Sequence, residues 1–115
     1  VRMSILTISL PIELIYCLQK QANVRSVNGL EEALQSLNNN DFHYIIEDVR
    51  QRDRGHLDLA CLLGNTTPGT RIVAIASASS LADAEYWQDQ GVTVFYAVNQ
   101  IDLGKQLVQD YKTYY

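Results

Sequence analysis

Strand and helix signals alternate five times along this chain, which predicts an α/β fold: a parallel β-sheet between two layers of helices. Three observations carry the prediction. Short apolar runs rich in β-branched residues, such as RIVAIA at 71–76, read as strands buried on both faces. Between such runs, leucine and alanine recur at helical spacing, as at Leu30, Ala33, Leu34 and Leu37. Clusters of Gly, Pro and Asn separate the two kinds of segment, notably NNN at 38–40 and GNTTPG at 64–69. Alternation of this kind builds β-α-β units with right-handed crossovers, so the strands run parallel.

The elements follow in order. Ser4 to Ser9 is the first strand, stopped by Pro11, which suits the first turn of a helix. That helix is expected to carry Ile12, Ile15, Tyr16 and Gln19. The more polar Asn23 to Val27 is expected at a sheet edge, and Asn28-Gly29 turns the chain into the second helix, which the asparagines end. Phe42 to Ile46 is the third strand, with His43 inside it and Glu47 and Asp48 closing it. Residues 49–56 form a polar loop, and Leu57, Ala60 and Leu63 line one face of the third helix. Arg71 to Ala76 is the fourth strand, followed by a small polar loop at Ser77 to Ser80. Ala82 to Gln90 is the fourth helix, with Gly91 as its C-terminal cap. Val92 to Val98 is the fifth strand, and Asn99 caps a last helix whose apolar face is Ile101, Leu103, Leu107, Val108 and Tyr111. Five such units in this length favour the flavodoxin-like strand order 2-1-3-4-5, a three-layer sandwich with Ile45 and Val73 in central strands.

The 115 residues make one domain, 1–115, large enough for a hydrophobic core without staples. With 47% hydrophobic and 19% charged residues the balance is that of a soluble globular fold. No apolar run approaches the roughly 20 residues of a membrane span, so no membrane partner is expected. A formal net charge of −4 argues against nucleic acid as a partner, since that binding runs on clustered Lys and Arg. Cys17 and Cys61 sit among apolar residues on predicted helices and are expected as buried reduced thiols, which fits a cytoplasmic protein. His43 and His56 have no partners at ligand spacing, so neither a metal site nor a cofactor is expected. There is no Ser-His-Asp set, glycine-rich phosphate loop or Cys-x-x-Cys, so the chain is not expected to be an enzyme.

The chemistry concentrates in FHYIIEDVRQRDRGHLDLACLL at 42–63. A strand ending in an acid, then a loop, then a helix, puts Asp48 at the carboxyl edge of the sheet, where open α/β folds build their sites. An acid there also serves as a helix cap or a solvated edge. Arg50, Arg52, Arg54 and His56 alternate through the loop behind it. One guanidinium can pair with Asp48 and stand in for a cation, or the loop can bind a small anion, because arginine suits planar pairing. The alternative is a solvated loop balanced by Asp53 and Asp58.

Across its full length the chain resembles the receiver domain of two-component response regulators. HYIIEDVRQRDRGHLDLACLL falls on the receiver pattern of an apolar run, an aspartate, a loop and a Gly-hydrophobic-acid-hydrophobic segment. GVTVFYAVNQIDLGKQL is similar to the stretch that carries the family's lysine and the helix after it. The resemblance implies that Asp48 stands where receivers have the phosphoacceptor. It also exposes four departures. Receivers hold a divalent cation with two acids after the first strand, where this chain has Ser9 and Leu10. They use Thr or Ser after the fourth strand, where it has Ala76 with Ser77 next, and Lys after the fifth, where it has Val98 followed by Asn99. Phosphoryl transfer to a carboxylate depends on positioning and on neutralising the phosphoryl oxygens, so these losses remove its usual apparatus. Glu47 does not replace the missing acids, because adjacent strand residues point to opposite faces.

The implied function is that of an atypical receiver, or pseudo-receiver. It is a non-catalytic regulatory and protein-interaction domain, not phosphorylated by the usual magnesium route, that mediates dimerisation or localisation of an attached output module. Such domains precede ParA/MinD-like ATPases in pilus-assembly and localisation proteins, and also DNA-binding or clock output modules, and this one is expected as the N-terminal module of a longer chain of either kind. The alternatives are an ordinary phosphoacceptor receiver using Asp48 in two-component signalling, and a binder of a small anionic ligand at the arginine-rich loop. In receivers the fourth helix, fifth strand and fifth helix form the face where partners or dimer mates dock. Here that part of the chain is aromatic, with Trp87, Phe95, Tyr96 and Tyr111 as candidate contacts for a homodimer or protein partner. Whichever of Phe95 and Tyr96 faces inward belongs to the core instead, as Tyr111 can.

Overall fold

The structure is a computed structural model that describes residues 2–50, 61–76, 81–96 and 100–115; for 81–84, 100 and 101 it describes the backbone. In chain order the elements are β1 (Met3–Ile8), α1 (Ile12–Gln19), β2 (Ala22–Val27), α2 (Leu30–Asn39) and β3 (Tyr44–Asp48). Helical residues 61–63 form the described part of α3. Then come β4 (Arg71–Ile75), α4 (Leu81–Asp89), β5 (Thr93–Phe95) and α5 (Gln100–Tyr114). All four strand pairings are parallel and the order is β2-β1-β3-β4-β5, as the alternation predicts.

Alternate residues of each strand feed two separate cores. Ile5, Tyr44, Ile46, Val73 and Ile75 meet Leu14 and Leu18 of α1 and Leu103 and Leu107 of α5 on one face. Leu6, Ile8, Ile45, Ile72 and Ala74 meet Ala33 of α2, Leu62 of α3 and Trp87 of α4 on the other. Ile45 and Val73 do lie in central strands. Each fully buried large aliphatic side chain contributes about 1.5–3 kcal/mol of transfer free energy, and the two faces together set the layer order.

Several boundaries and faces differ from the sequence expectation. The third strand starts at Tyr44 and runs through Glu47 and Asp48, because β4 continues the ladder beside them with Glu47 opposite Ala74 and Asp48 opposite Ile75. Backbone pairing outweighs the charge of the side chains there. In α1 the buried pair is Leu14 and Leu18, whereas Ile12 and Tyr16 face solvent. Both pairs have the same four-residue spacing, so periodicity alone does not choose between them. Cys17 is half-buried and Cys61 is exposed rather than buried, and neither forms a disulfide. Leu57, Ala60, His56 and Asn99 lie outside the described residues.

α4 ends in a Schellman motif: Val92 N–H donates to Trp87 O at 2.9 Å and Gly91 N–H to Gln88 O at 3.1 Å. Gly91 has φ 98°, a conformation that costs an L side chain free energy even though a Cβ would meet no atom within 4 Å. Gly91→Ala is therefore expected to lower unfolding free energy by about 1–2 kcal/mol through the backbone alone. Urea unfolding of the two proteins measures it.

α5 is pinned to the amino edge of the sheet by charge. The Arg71 guanidinium, opening β4, donates to both oxygens of Asp110 at 2.8 and 2.9 Å and to Thr93 Oγ1 at 2.8 Å. The buried Tyr44 hydroxyl donates to Asp110 Oδ2 at 2.5 Å, and the Tyr114 ring covers Arg71 with its centroid 3.6 Å from Cζ. The Tyr115 hydroxyl lies 2.8 Å from His43 O and 2.6 Å from Gly69 O, donating to one at a time. Burial and then the bond to Asp110 push the Tyr44 phenol far above its ordinary value; burial likewise raises Tyr115. A raised phenol means the folded chain holds that proton more tightly than the unfolded chain. This stability is whole below the ordinary tyrosine value of 10.0 and is lost as pH climbs above it, where the unfolded chain ionises first. Stability should thus fall from about pH 10 upward, and Tyr44→Phe should flatten that slope in denaturation curves taken at successive alkaline pH values.

Candidate functional site

Asp48 is the last residue of β3, and the chain turns immediately after it. The Arg50 backbone N–H donates to Asp48 Oδ1 at 3.0 Å, an Asx turn that a two-residue spacing permits. The same turn brings the Arg50 side chain back over the carboxylate. Arg50 Nε donates to Oδ1 at 3.0 Å and Nη2 to Oδ2 at 2.7 Å, a fork-to-fork pair that occupies both oxygens. The side chains are 13% exposed for Asp48 and 24% for Arg50, so the pair sits at the rim of the sheet, partly dry. Hydrogen bonding to Asp48 holds the guanidinium above its ordinary value. Of the sequence candidates, Arg50 is the partner of Asp48, while Arg52 and Arg54 lie outside the described residues.

Among the described residues at that edge, Ser9, Leu10 and Ala76 add no further carboxylate or cation. Ser9 follows β1 in the left-handed region, φ 56°, with Oγ donating to Asn28 O at 3.0 Å and N–H to Val27 O at 2.9 Å, so it is tied to the end of β2. Leu10 is buried with α1 and α5 in the first core. Ala76 follows β4, buried, its N–H donating to Phe95 O at 2.9 Å. β1, β3 and β4 are neighbours, so Ser9, Leu10, Asp48 and Ala76 do come to one edge. Val98 lies outside the described residues. Glu47 is fully buried and, by strand alternation, on the opposite face from Asp48. Among the described residues no group of three or more His, Cys, Asp or Glu gathers as a metal cluster.

Of the aromatic candidates Trp87 is corrected, and Phe95 is the inward member of the Phe95–Tyr96 pair. Trp87 is only 6% exposed and packs in the second core, and Phe95 is buried in the first. The large indole faces inward, where it joins the apolar cluster with Ile72, Ala74 and Val92. Tyr96 is exposed, and Tyr111 is half-buried, stacked on Tyr115 at 5.2 Å between ring centroids. The exposed aromatic on α4 is instead Tyr86, 55% exposed and edge-on to Trp87 at 5.0 Å. Sequence reasoning missed Tyr86 because adjacent helical aromatics differ by about 100° in direction and only packing chooses the inner one.

The Asp48–Arg50 pair lies between the exposed and buried regimes, so its coupling should exceed that of a surface ion pair. A double-mutant cycle with Asp48→Asn and Arg50→Ala is expected to give about 1–2 kcal/mol of coupling in urea unfolding, reduced by added salt.

The sequence matches no family model and no curated protein. Its fold does have relatives of known structure. The receiver domain of NtrC4 from Aquifex aeolicus superposes with a TM-score of 0.73 at 16% identity, over 97% of this chain and 95% of that one. A response regulator receiver protein from Pseudomonas putida gives 0.72 at 20% identity, over 97% and 98%. A pilus assembly protein, CpaE, from Caulobacter crescentus gives 0.66 at 17% identity, over 90% and 89%. Identities this low speak for fold, and the fold is that of a receiver.

Proposed function

We propose that this domain is a receiver-like regulatory and interaction module that works without magnesium-dependent phosphorylation. It serves to join or place an output module carried on the same polypeptide. The observation that carries the reading is the Arg50 fork on Asp48. A phosphoacceptor carboxylate needs one oxygen open to attack phosphorus and the other on a metal ion. Here a tethered guanidinium takes both, Leu10 offers no ligand, and Ala76 offers no hydroxyl to a phosphoryl group. Arginine is always charged, so the site is neutralised without an exchangeable ion. Tyr86, Tyr96 and the outer side of α5 are the contact candidates on the α4, β5 and α5 side, since the indole of Trp87 and the ring of Phe95 are used internally. The likeness of the fold to a pilus assembly protein supports a role in assembly or localisation.

Incubation with acetyl phosphate and magnesium should leave the intact mass unchanged, in the wild type and in Asp48→Asn alike. A labile phosphoryl adduct on the wild type that disappears in Asp48→Asn would establish the ordinary phosphoacceptor instead.

A further inference from the structure

A cationic groove on one face of the sheet and an acidic helix surface on the other are complementary in charge. On one, α1 and α5 leave an open groove of about 550 Å³ lined by Cys17, Lys20, Gln21, Gly104, Lys105 and Val108. Its floor stays flat because position 104 is glycine; a Cβ there would lie 3.6 Å from Gln21 Nε2 and 3.7 Å from Cys17 Sγ. Its rim is cationic. Lys20 and Lys105 are exposed, neither forms an ion pair among the described residues, and Lys112 follows seven residues on from Lys105, on the same side of α5. On the other face, α4 turns Trp87 inward and shows solvent Glu85, Tyr86 and Asp89. Glu85 and Asp89 are one helical turn apart, directly opposite the buried indole, with Tyr86 at their flank, and neither acid is in an ion pair among the described residues.

We infer that a second copy of this chain docks its α4, through Glu85, Tyr86 and Asp89, into the α1–α5 groove of the first. Complementary charge selects the match: two carboxylates meet the ammonium groups of Lys20 and Lys105, and the tyrosine ring covers Gly104 and Val108 as the apolar anchor. The groove and α4 lie on opposite faces of the sheet. One molecule therefore offers its helix to one neighbour and its groove to another, a head-to-tail contact that propagates rather than closing on a two-fold axis. The inference rests on the reading of the domain as an interaction module and specifies the partner.

Sedimentation velocity tests it with exposed charges alone. The wild type should grow past a dimer as concentration rises and dissociate with added salt. Lys105→Glu and Glu85→Lys should each weaken association by roughly tenfold or more, since each puts like charges face to face. Mixed in equal amounts, they should again grow past a dimer, because the intact helix of one meets the intact groove of the other and the altered helix meets an altered groove of opposite charge. The charge-swapped double variant should associate again. A wild type that stays monomeric at high micromolar concentration, or stops at a dimer, overturns the inference, as does unchanged association of either single variant. The phosphorylation experiment is indifferent to these outcomes, so the two readings fail separately.

Discussion

The sheet is buried on both faces, and that constraint decides where charge can go. β1, β3 and β4 are flanked by helices above and below, so their middles admit apolar side chains with few exceptions, of which Thr7 and Glu47 are buried. Ionic chemistry is pushed to the two rims. At the carboxyl rim Asp48 is forked by Arg50, and at the amino rim Arg71 is forked by Asp110. Each pair resolves the same difficulty, a charge at the border of a dry interior, with the one cation whose planar donors fill both oxygens of a carboxylate. The amino-rim pair also holds Tyr44 and Tyr114, and Tyr115 bonds the backbone beside it, so α5 is fastened where β3 and β4 begin.

These two forks show how far the sequence can be read. The Asp48–Arg50 pair is local: acid at a strand end and arginine two positions on are visible in one line of text, and the Asx turn needs nothing else. The Arg71–Asp110 pair spans 39 residues and depends on which way α5 lies against β4. In the sequence Asp110 looks like a solvated helix position, and Arg71 like the polar start of an apolar strand. Strand order was legible because alternation, crossover handedness and chain length leave few topologies. Which flank of α1 or which aromatic of α4 turns inward was not, because Ile12–Tyr16 and Leu14–Leu18, or Tyr86 and Trp87, satisfy local rules equally well. Packing against a particular partner breaks those ties.

At the carboxyl rim, the contrast with a metal-dependent receiver lies in how the cation is held. A magnesium ion arrives from solvent and can be exchanged, and its geometry leaves a place for a phosphoryl oxygen. A guanidinium tethered two residues from the acid is always present and fills the geometry itself. On the proposed reading the site has been converted from one that responds to a second molecule into one that completes the fold. Ser9 fits that picture: its left-handed backbone persists at the end of β1, with its hydroxyl spent on the backbone of Asn28.

Both rims carry internal ion pairs, and on the proposed reading the surfaces offered to other molecules are the helical faces. The two helices covering one face and those covering the other are separated by the thickness of the sheet, so a partner on one face does not touch the other. A switch needs an element with two arrangements of similar free energy. Here α5 is held by a bidentate arginine, a buried phenol and two terminal tyrosines, and moving it would break all of them together. On the proposed reading this suits a rigid interaction module, in which binding depends on surface complementarity already in place, not on a conformational change at another site.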